Sequence, residues 1–272
     1  MAERAAGGGR IELRWDERGA AGRIAHLTVA HPGKLNILDR ALMSALLAQA
    51  SALADAKDLR AVVLRGAGER AFIGGADIRD MAELTRDSAA DFITLLHRAC
   101  AAMRALPVPV IARIDGYALG AGLEVAAACD LRIASERALF GMPEVKVGIP
   151  SVIEAALLPP LIGWGRARRL LLTGETIDAA TAERWGLVEW LVPAEGLDSA
   201  VETVLAAILA CGADALRLQK SLIQEWEELP LAAAIERGIA SFASAFASDE
   251  PRRMMGDFLA AAAARRRRRE GA

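Results

Sequence analysis

Short runs of aliphatic, β-branched residues alternate with helix-periodic segments through the first two thirds of the chain, and no other feature restricts the fold as strongly. Residues 24–29 (IAHLTV), 61–64 (AVVL) and 108–114 (VPVIARI) predict strands buried on both faces. Between them, residues 39–56 place Leu42, Leu46, Leu47 and Ala50 at helical spacing behind Asp39 in the N-cap position. Residues 87–105 repeat the pattern with Phe92, Leu95, Leu96 and Met103. Strands separated by helices imply parallel crossovers, so an α/β fold is expected. After about residue 197, Leu, Ala and Glu dominate. Residues 198–211, 213–228, 231–247 and 249–264 predict helices broken at Gly212, Pro230 and Ser248-Asp249. The expected organisation is a flexible lead-in over residues 1–10, an α/β core over 11–197, a helical region over 198–264 and a basic tail over 265–272.

Composition narrows the function classes. With 272 residues, 54% hydrophobic and 25% charged, the chain should bury roughly three quarters of its surface and need no disulfide or metal staples. That composition excludes a disordered chain. A net charge of −2 argues against a nucleic-acid binder built on global charge. No apolar run of about 18 residues predicts a membrane span, and the first residues contain no secretory apolar region. Cys100, Cys129 and Cys211 fit neither a disulfide framework nor a zinc pair, and are expected as reduced, buried thiols in the cytoplasm. His26, His31 and His97 lack metal-ligand spacing, so no metal is expected. The run Arg265, Arg266, Arg267, Arg268 and Arg269 reads as a solvated tail, with an anion contact as its functional alternative.

Two glycine-bearing turns follow strand signals. One is Phe72-Ile73-Gly74-Gly75-Ala76-Asp77, and the other runs from Gly116 to Glu124 as GYALGAGLE. Neither matches the phosphate-loop spacing or the dinucleotide-binding glycine pattern. Small residues at such turns let a ligand approach the backbone, and a helix starting near Ala121 would aim its first N–H groups at that ligand. Two N–H groups from separate turns can form an oxyanion hole, although tight strand-to-helix packing would also explain the glycines. Glu124 lies among Leu123, Val125, Ala126, Ala127 and Ala128, where a charge is costly unless paired or used. Glu144, in FGMPEV, is likewise flanked by apolar residues.

The segments FIGGADIRDM, IDGYALGAGLEVAAACDLRIAS and FGMPEVKVGIP, in that order, resemble the enoyl-CoA hydratase (crotonase) superfamily. The resemblance runs from about residue 24 to residue 193 and is weaker beyond. It implies a crotonase core of repeated ββα units, with a helical C-terminal region that makes trimers, often paired as hexamers. It also implies hydration of trans-2-enoyl-CoA thioesters to 3-hydroxyacyl-CoA. Coenzyme A would enter as part of the substrate, with no separate cofactor and no nucleic-acid or membrane partner. Carried over by position, the oxyanion amides fall on Ala76 and Ala121. The coenzyme A contacts fall on Gly74, Gly75, Ala76, Asp77 and Ile78, with a basic contact at Lys34. Glu124 would activate the water and Glu144 would protonate C2.

One stretch departs from the family. Where hydratases continue with PGxGGTQRL, this chain reads Pro150-Ser151-Val152-Ile153-Glu154-Ala155-Ala156-Leu157. Glu154 reads as a helix-surface or salt-bridged residue rather than a third catalytic acid. Tyr117 reads as packing beside its turn, and Trp164, Trp185 and Trp190 as core. The family's basic residue near the C-terminus aligns with Ala261, and the arginines beyond could replace it if the last helix extends far enough. The alternatives are a Δ3,Δ2-enoyl-CoA isomerase, which needs one carboxylate, another superfamily hydrolase or lyase, and a non-catalytic protein using its arginines on nucleic acid.

Overall fold

The computed structural model describes residues 8–31 and 33–270; the expectations for residues 1–7, 271 and 272 lie outside the described residues. The chain divides into two compact units, one reaching Leu205 and one beginning at Ala206. In the first unit, a six-stranded sheet contains β1 (Arg10–Glu17), β2 (Arg23–Ala30), β3 (Leu59–Gly66), β5 (Val110–Ile114), β7 (Leu131–Ser135) and β10 (Trp190–Val192), side by side in that order. A four-stranded sheet contains β4 (Ala71–Ile73), β6 (Tyr117–Leu119), β8 (Leu139–Gly141) and β9 (Thr176–Asp178), also in that order.

The expected parallel crossovers are present from β2 through β10 in the large sheet. Helix α1 (Arg40–Ala54) links β2 to β3. It starts where Asp39 accepts a hydrogen bond from the Leu42 N–H at 2.8 Å. Helix α2 (Ile78–Ala82) is a single short turn after β4, and α3 (Arg86–Arg104) returns the chain to β5, capped by Thr85 and Ser88. The apolar stripes on α1 and α3 bury Leu42, Leu46, Phe92, Leu96 and Met103 in one core with Leu27, Leu64 and Phe72. Truncating a buried Phe in such a core costs about 3–5 kcal/mol.

Several expectations need correction. The strand β1 lies outside the strand set read from the sequence: RIELRWDE carries charge along most of its length, and it pairs antiparallel to β2 at the sheet edge, where charge is tolerated. β5 is fully buried, but His26 and Thr28 of β2 are only partly covered. Cys100 and Cys129 are buried as expected, whereas Cys211 is exposed, close beyond the end of a helix. Trp164 and Trp190 are exposed rather than core; the Arg168 guanidinium lies 5.4 Å from the Trp164 ring, on the surface.

The remaining helices of the first unit are α4 (Ala121–Ala128), α5 (Leu158–Ile162), α6 (Trp164–Thr173), α7 (Ala179–Trp185) and α8 (Leu197–Leu209), the last crossing into the second unit. The second unit holds α9 (Ala213–Glu228), α10 (Leu231–Ala245) and α11 (Glu250–Glu270). Glu250 accepts hydrogen bonds from the Asp214 and Ala215 N–H groups at the start of α9. Helix α11 continues past the expected end at residue 264 through the arginine run, as the high helix propensity of Arg allows. Arg265 to Arg268 are exposed on it. Among the described residues, no single helix is long and apolar enough to cross a membrane.

One contact locks the two glycine turns together. A Cβ on Gly122, in the first turn of α4, would stand 2.0 Å from the Ile73 carbonyl oxygen at the end of β4. Only glycine permits this approach. Gly122→Ala should therefore push α4 off β4 and cost about 1–3 kcal/mol, lowering Tm by roughly 3–10 °C in a calorimetric scan. An unchanged Tm would mean that the contact is not close in solution.

Candidate active site

Three adjacent strands of the small sheet end together, and the chemistry-bearing residues follow those ends. β4, β6 and β8 run parallel, with Ile73 opposite Ala118 and Leu119 opposite Gly141. Ala76 and Ala121 each lie three positions beyond the paired residues Ile73 and Ala118, and Glu144 lies three beyond Gly141. Crevices beyond the carboxyl ends of parallel strands are common ligand sites in α/β folds. Gly74, Gly75, Ala76, Ile78, Ala121, Glu124 and Glu144 all line one cavity of about 850 Å³ there.

The first turn is stitched down on one side only. The Gly74 N–H donates to the Leu35 carbonyl at 2.9 Å, the Leu38 N–H to the Gly75 carbonyl at 2.8 Å, and the Asp77 N–H to the Leu38 carbonyl at 2.9 Å. The Ala76 N–H, between them, meets no acceptor among the described residues. In the second turn, Gly120 takes φ +51° and donates to the Gly141 carbonyl, while Leu123 and Glu124 donate back to the Gly120 carbonyl. The Ala121 N–H also has no acceptor among the described residues. A buried N–H without a partner is uncommon, and Ala121 is 5% exposed.

Asp77 and Lys34 support the first turn from outside the cavity lining. Asp77 is buried, caps α2 through the Arg79 N–H at 2.9 Å and accepts from the Lys34 ammonium at 3.1 Å. Burial alone would raise its carboxyl, but the Arg79 N–H and Lys34 outweigh that and hold it below the usual carboxylate range. Sequence reasoning missed Asn36. Its side-chain amide donates to the Ala67 and Ala71 carbonyls and its oxygen accepts from the His31 N–H, which folds the loop that pins Gly74 and Gly75. Asn36 has φ +56°, and asparagine is among the few residues at ease there, so an Asn ahead of a glycine turn was an available signal.

The two glutamates occupy unlike surroundings. Glu124 is 4% exposed inside α4. Burial, then the neighbouring charge of Glu144, push its carboxyl from an ordinary 4.5 up to about 8, against an opposing hydrogen bond from the Ala155 N–H and with a further push from Glu154. Glu144, in a 3₁₀ turn (Pro143–Val147), is half-buried. Its Oε2 accepts from the Ser151 hydroxyl at 2.8 Å, and its Oε1 lies 2.3 Å from where a Cβ on Gly120 would stand, so a side chain at 120 would strike the carboxylate.

Glu154 is not on the surface. It is 7% exposed, and its Oε1 sits 2.8 Å from Nδ1 of His97 on α3. Behind the cavity, burial raises the Cys100 thiol well above its ordinary value, with the Glu154 and Glu124 charges adding to the effect, so it is a poor nucleophile. Tyr117 opens β6 with its ring partly exposed and lines no part of the cavity.

The profile of the enoyl-CoA hydratase/isomerase family matches residues 19–263. The chain is 36% identical over 240 residues to the probable enoyl-CoA hydratase echA8 of Mycobacterium bovis, covering 87% of this chain and 91% of that protein. It is 34% identical to the crotonyl-CoA hydratase of Syntrophomonas wolfei, covering 87% and 92%. The solved enoyl-CoA hydratase of Bacillus anthracis superposes with a TM-score of 0.85 at 30% identity, over 91% of this chain and 95% of that one.

The raised Glu124 carboxyl has a stability signature. Below pH 4.5 it is neutral whether the chain is folded or not; between 4.5 and about 8 the unfolded chain releases a proton that the folded chain keeps. Stability therefore falls through that window by about 1.4 kcal/mol per pH unit and levels off above it. Glu124→Gln lacks this titration, so its Tm should gain on the wild type as pH rises from about 5 to about 8. A difference in Tm that stays constant with pH would show that Glu124 titrates normally.

Proposed function

We propose that this chain, which belongs to the enoyl-CoA hydratase/isomerase family, adds water across the double bond of trans-2-enoyl-CoA thioesters to give 3-hydroxyacyl-CoA. The observation that carries the reading is one cavity lined by Ala76 and Ala121, whose N–H groups meet no acceptor among the described residues, and by two carboxyl groups in unlike surroundings. A thioester oxygen placed between Ala76 and Ala121 would accept from both N–H groups. Negative charge that builds on that oxygen as C3 is attacked is then stabilised as an enolate. One such donor is worth about 10²–10³ in rate.

The proton balance needs one acid with a proton and one without. Raised to about 8 by burial and by the charge of Glu144 beside it, the Glu124 carboxyl keeps its proton at neutral pH. For Glu124 to accept a proton from water and Glu144 to deliver one to C2, the proton must pass to Glu144 as substrate binds. Substrate would cover the half-buried Glu144 and favour its neutral form, while a water donating to Glu124 would favour the charged form there. Each turnover removes one proton from the pair at C2 and returns one from water.

Gly74, Gly75 and Ile78 line the cavity beside Ala76 and suit contacts to the coenzyme A backbone, while Asp77 and Lys34, paired with each other outside the lining, hold that turn in place. Helix α10 supports self-association into the trimer or hexamer that the resemblance implies. It exposes Leu231, Ile235, Ile239 and Phe242 at helical spacing, 78%, 55%, 61% and 71% exposed, an apolar stripe that a lone soluble chain rarely leaves open.

Turnover of crotonyl-CoA, followed by loss of the absorbance of the conjugated double bond, tests the reaction. Glu124→Gln and Glu144→Gln should each lower kcat by a factor on the order of 10² or more, and the double variant should fall far short of the product of the two. Wild-type rates in either single variant would remove the two-acid assignment, and an isomerase would tolerate the loss of one acid. Light scattering should give three or six times the chain mass, and Phe242→Glu should lower it; a monomeric wild type would overturn the assembly.

A further inference from the structure

The segment that departs from the family's glycine-rich turn places a hydroxyl on one of the two acids. Ser151 follows Pro150 in the stretch that joins the Pro143–Val147 turn to a second 3₁₀ turn (Ile153–Leu157). Its Oγ donates to Glu144 Oε2 at 2.8 Å, the only hydrogen bond the Glu144 side chain makes among the described residues. Oε1, on the other side of the carboxylate, faces Gly120, whose Cα lacks the substituent that would block it. Glu144 is thus held by one oxygen and presents the other toward the turn that carries Ala121. Glu144, Gly120, Ala121 and the neighbouring Pro150 and Val152 all line the cavity.

We propose that Ser151 is a positioning residue for Glu144, tying Oε2 so that Oε1 is the oxygen that exchanges a proton with the substrate carbon. The proposal rests on the hydration reading above. A glutamate side chain without this tie would rotate about its last torsion, which is broad and roughly two-fold, and would present either oxygen at varying angles. A serine hydroxyl both donates and accepts, so the tie persists whether Glu144 carries its charge or its proton. A glycine at this position, as the hydratase pattern has, offers no such group.

The decisive measurement is steady-state hydration of crotonyl-CoA by Ser151→Ala, Ser151→Thr and wild type, with thermal melts as the control for folding. Loss of the hydroxyl should lower kcat by about 10- to 100-fold while KM stays within about two-fold, because a tilted acid costs rate and not binding. Ser151→Thr keeps a hydroxyl and should recover most of that loss. In a Glu144→Gln background, Ser151→Ala should change kcat less than about two-fold, since the group it positions is gone. An active wild type with Ser151→Ala at wild-type kcat, or with Ser151→Thr as impaired as Ser151→Ala, would overturn this inference while leaving the hydration reading intact. So would full additivity with Glu144→Gln. A wild type that turns over no enoyl-CoA would overturn the reaction, and the role of Ser151 with it.

Discussion

The site depends on the close approach between the start of α4 and the end of β4. Parallel strands stand about 4.8 Å apart, so the residues just beyond two neighbouring strand ends are neighbours in space even when far apart in sequence. Here the pairing of Ile73 with Ala118 sets the register, and the glycine at 122 lets the helix settle against the Ile73 carbonyl. Ala76 and Ala121 inherit their mutual placement from these two facts. The loop around Asn36 then takes up the Gly75 carbonyl and the Asp77 N–H on either side of Ala76, while the Ala76 N–H meets no acceptor among the described residues. A packed strand-to-helix junction whose flanking groups are bonded while an N–H stays open is the kind of geometry that suits a ligand.

Much of this was legible in the sequence, for reasons that differ by element. β3 and β5 are short, aliphatic and buried, and α1 and α3 carry unmistakable 3.6-residue stripes, so propensity and packing agree there. The small sheet was not readable. Its strands are three residues each, too short for any periodicity to register, and they are held by pairing to one another across the chain. The glycine turns and Glu124 drew notice through their chemistry, because a carboxyl in an all-apolar helix is costly wherever it occurs. Glu154 is salt-bridged, one of the two readings its sequence offers, but it is buried rather than on a helix surface. It looks like an ordinary helix-surface acid, and only the fold brings His97, fifty-seven positions away, to its carboxylate.

The segment from Pro150 to Leu157 unites these observations. Ile153 holds φ +40°, a conformation that glycine adopts easily and that a β-branched residue adopts only at a cost of about 1–3 kcal/mol. The hydratase pattern has glycines in this stretch, so the chain keeps a glycine-like backbone path while giving up the glycines. What it gains is visible on either side of Ile153. Ser151 reaches Glu144, and the Glu154 side chain is anchored on His97. The stretch thus places a hydroxyl on Glu144 and seats Glu154 against α3. Local strain at Ile153 is therefore the counterpart of fixed geometry at Ser151 and Glu154, and a backbone outlier beside a cavity is where such strain is expected to have its use.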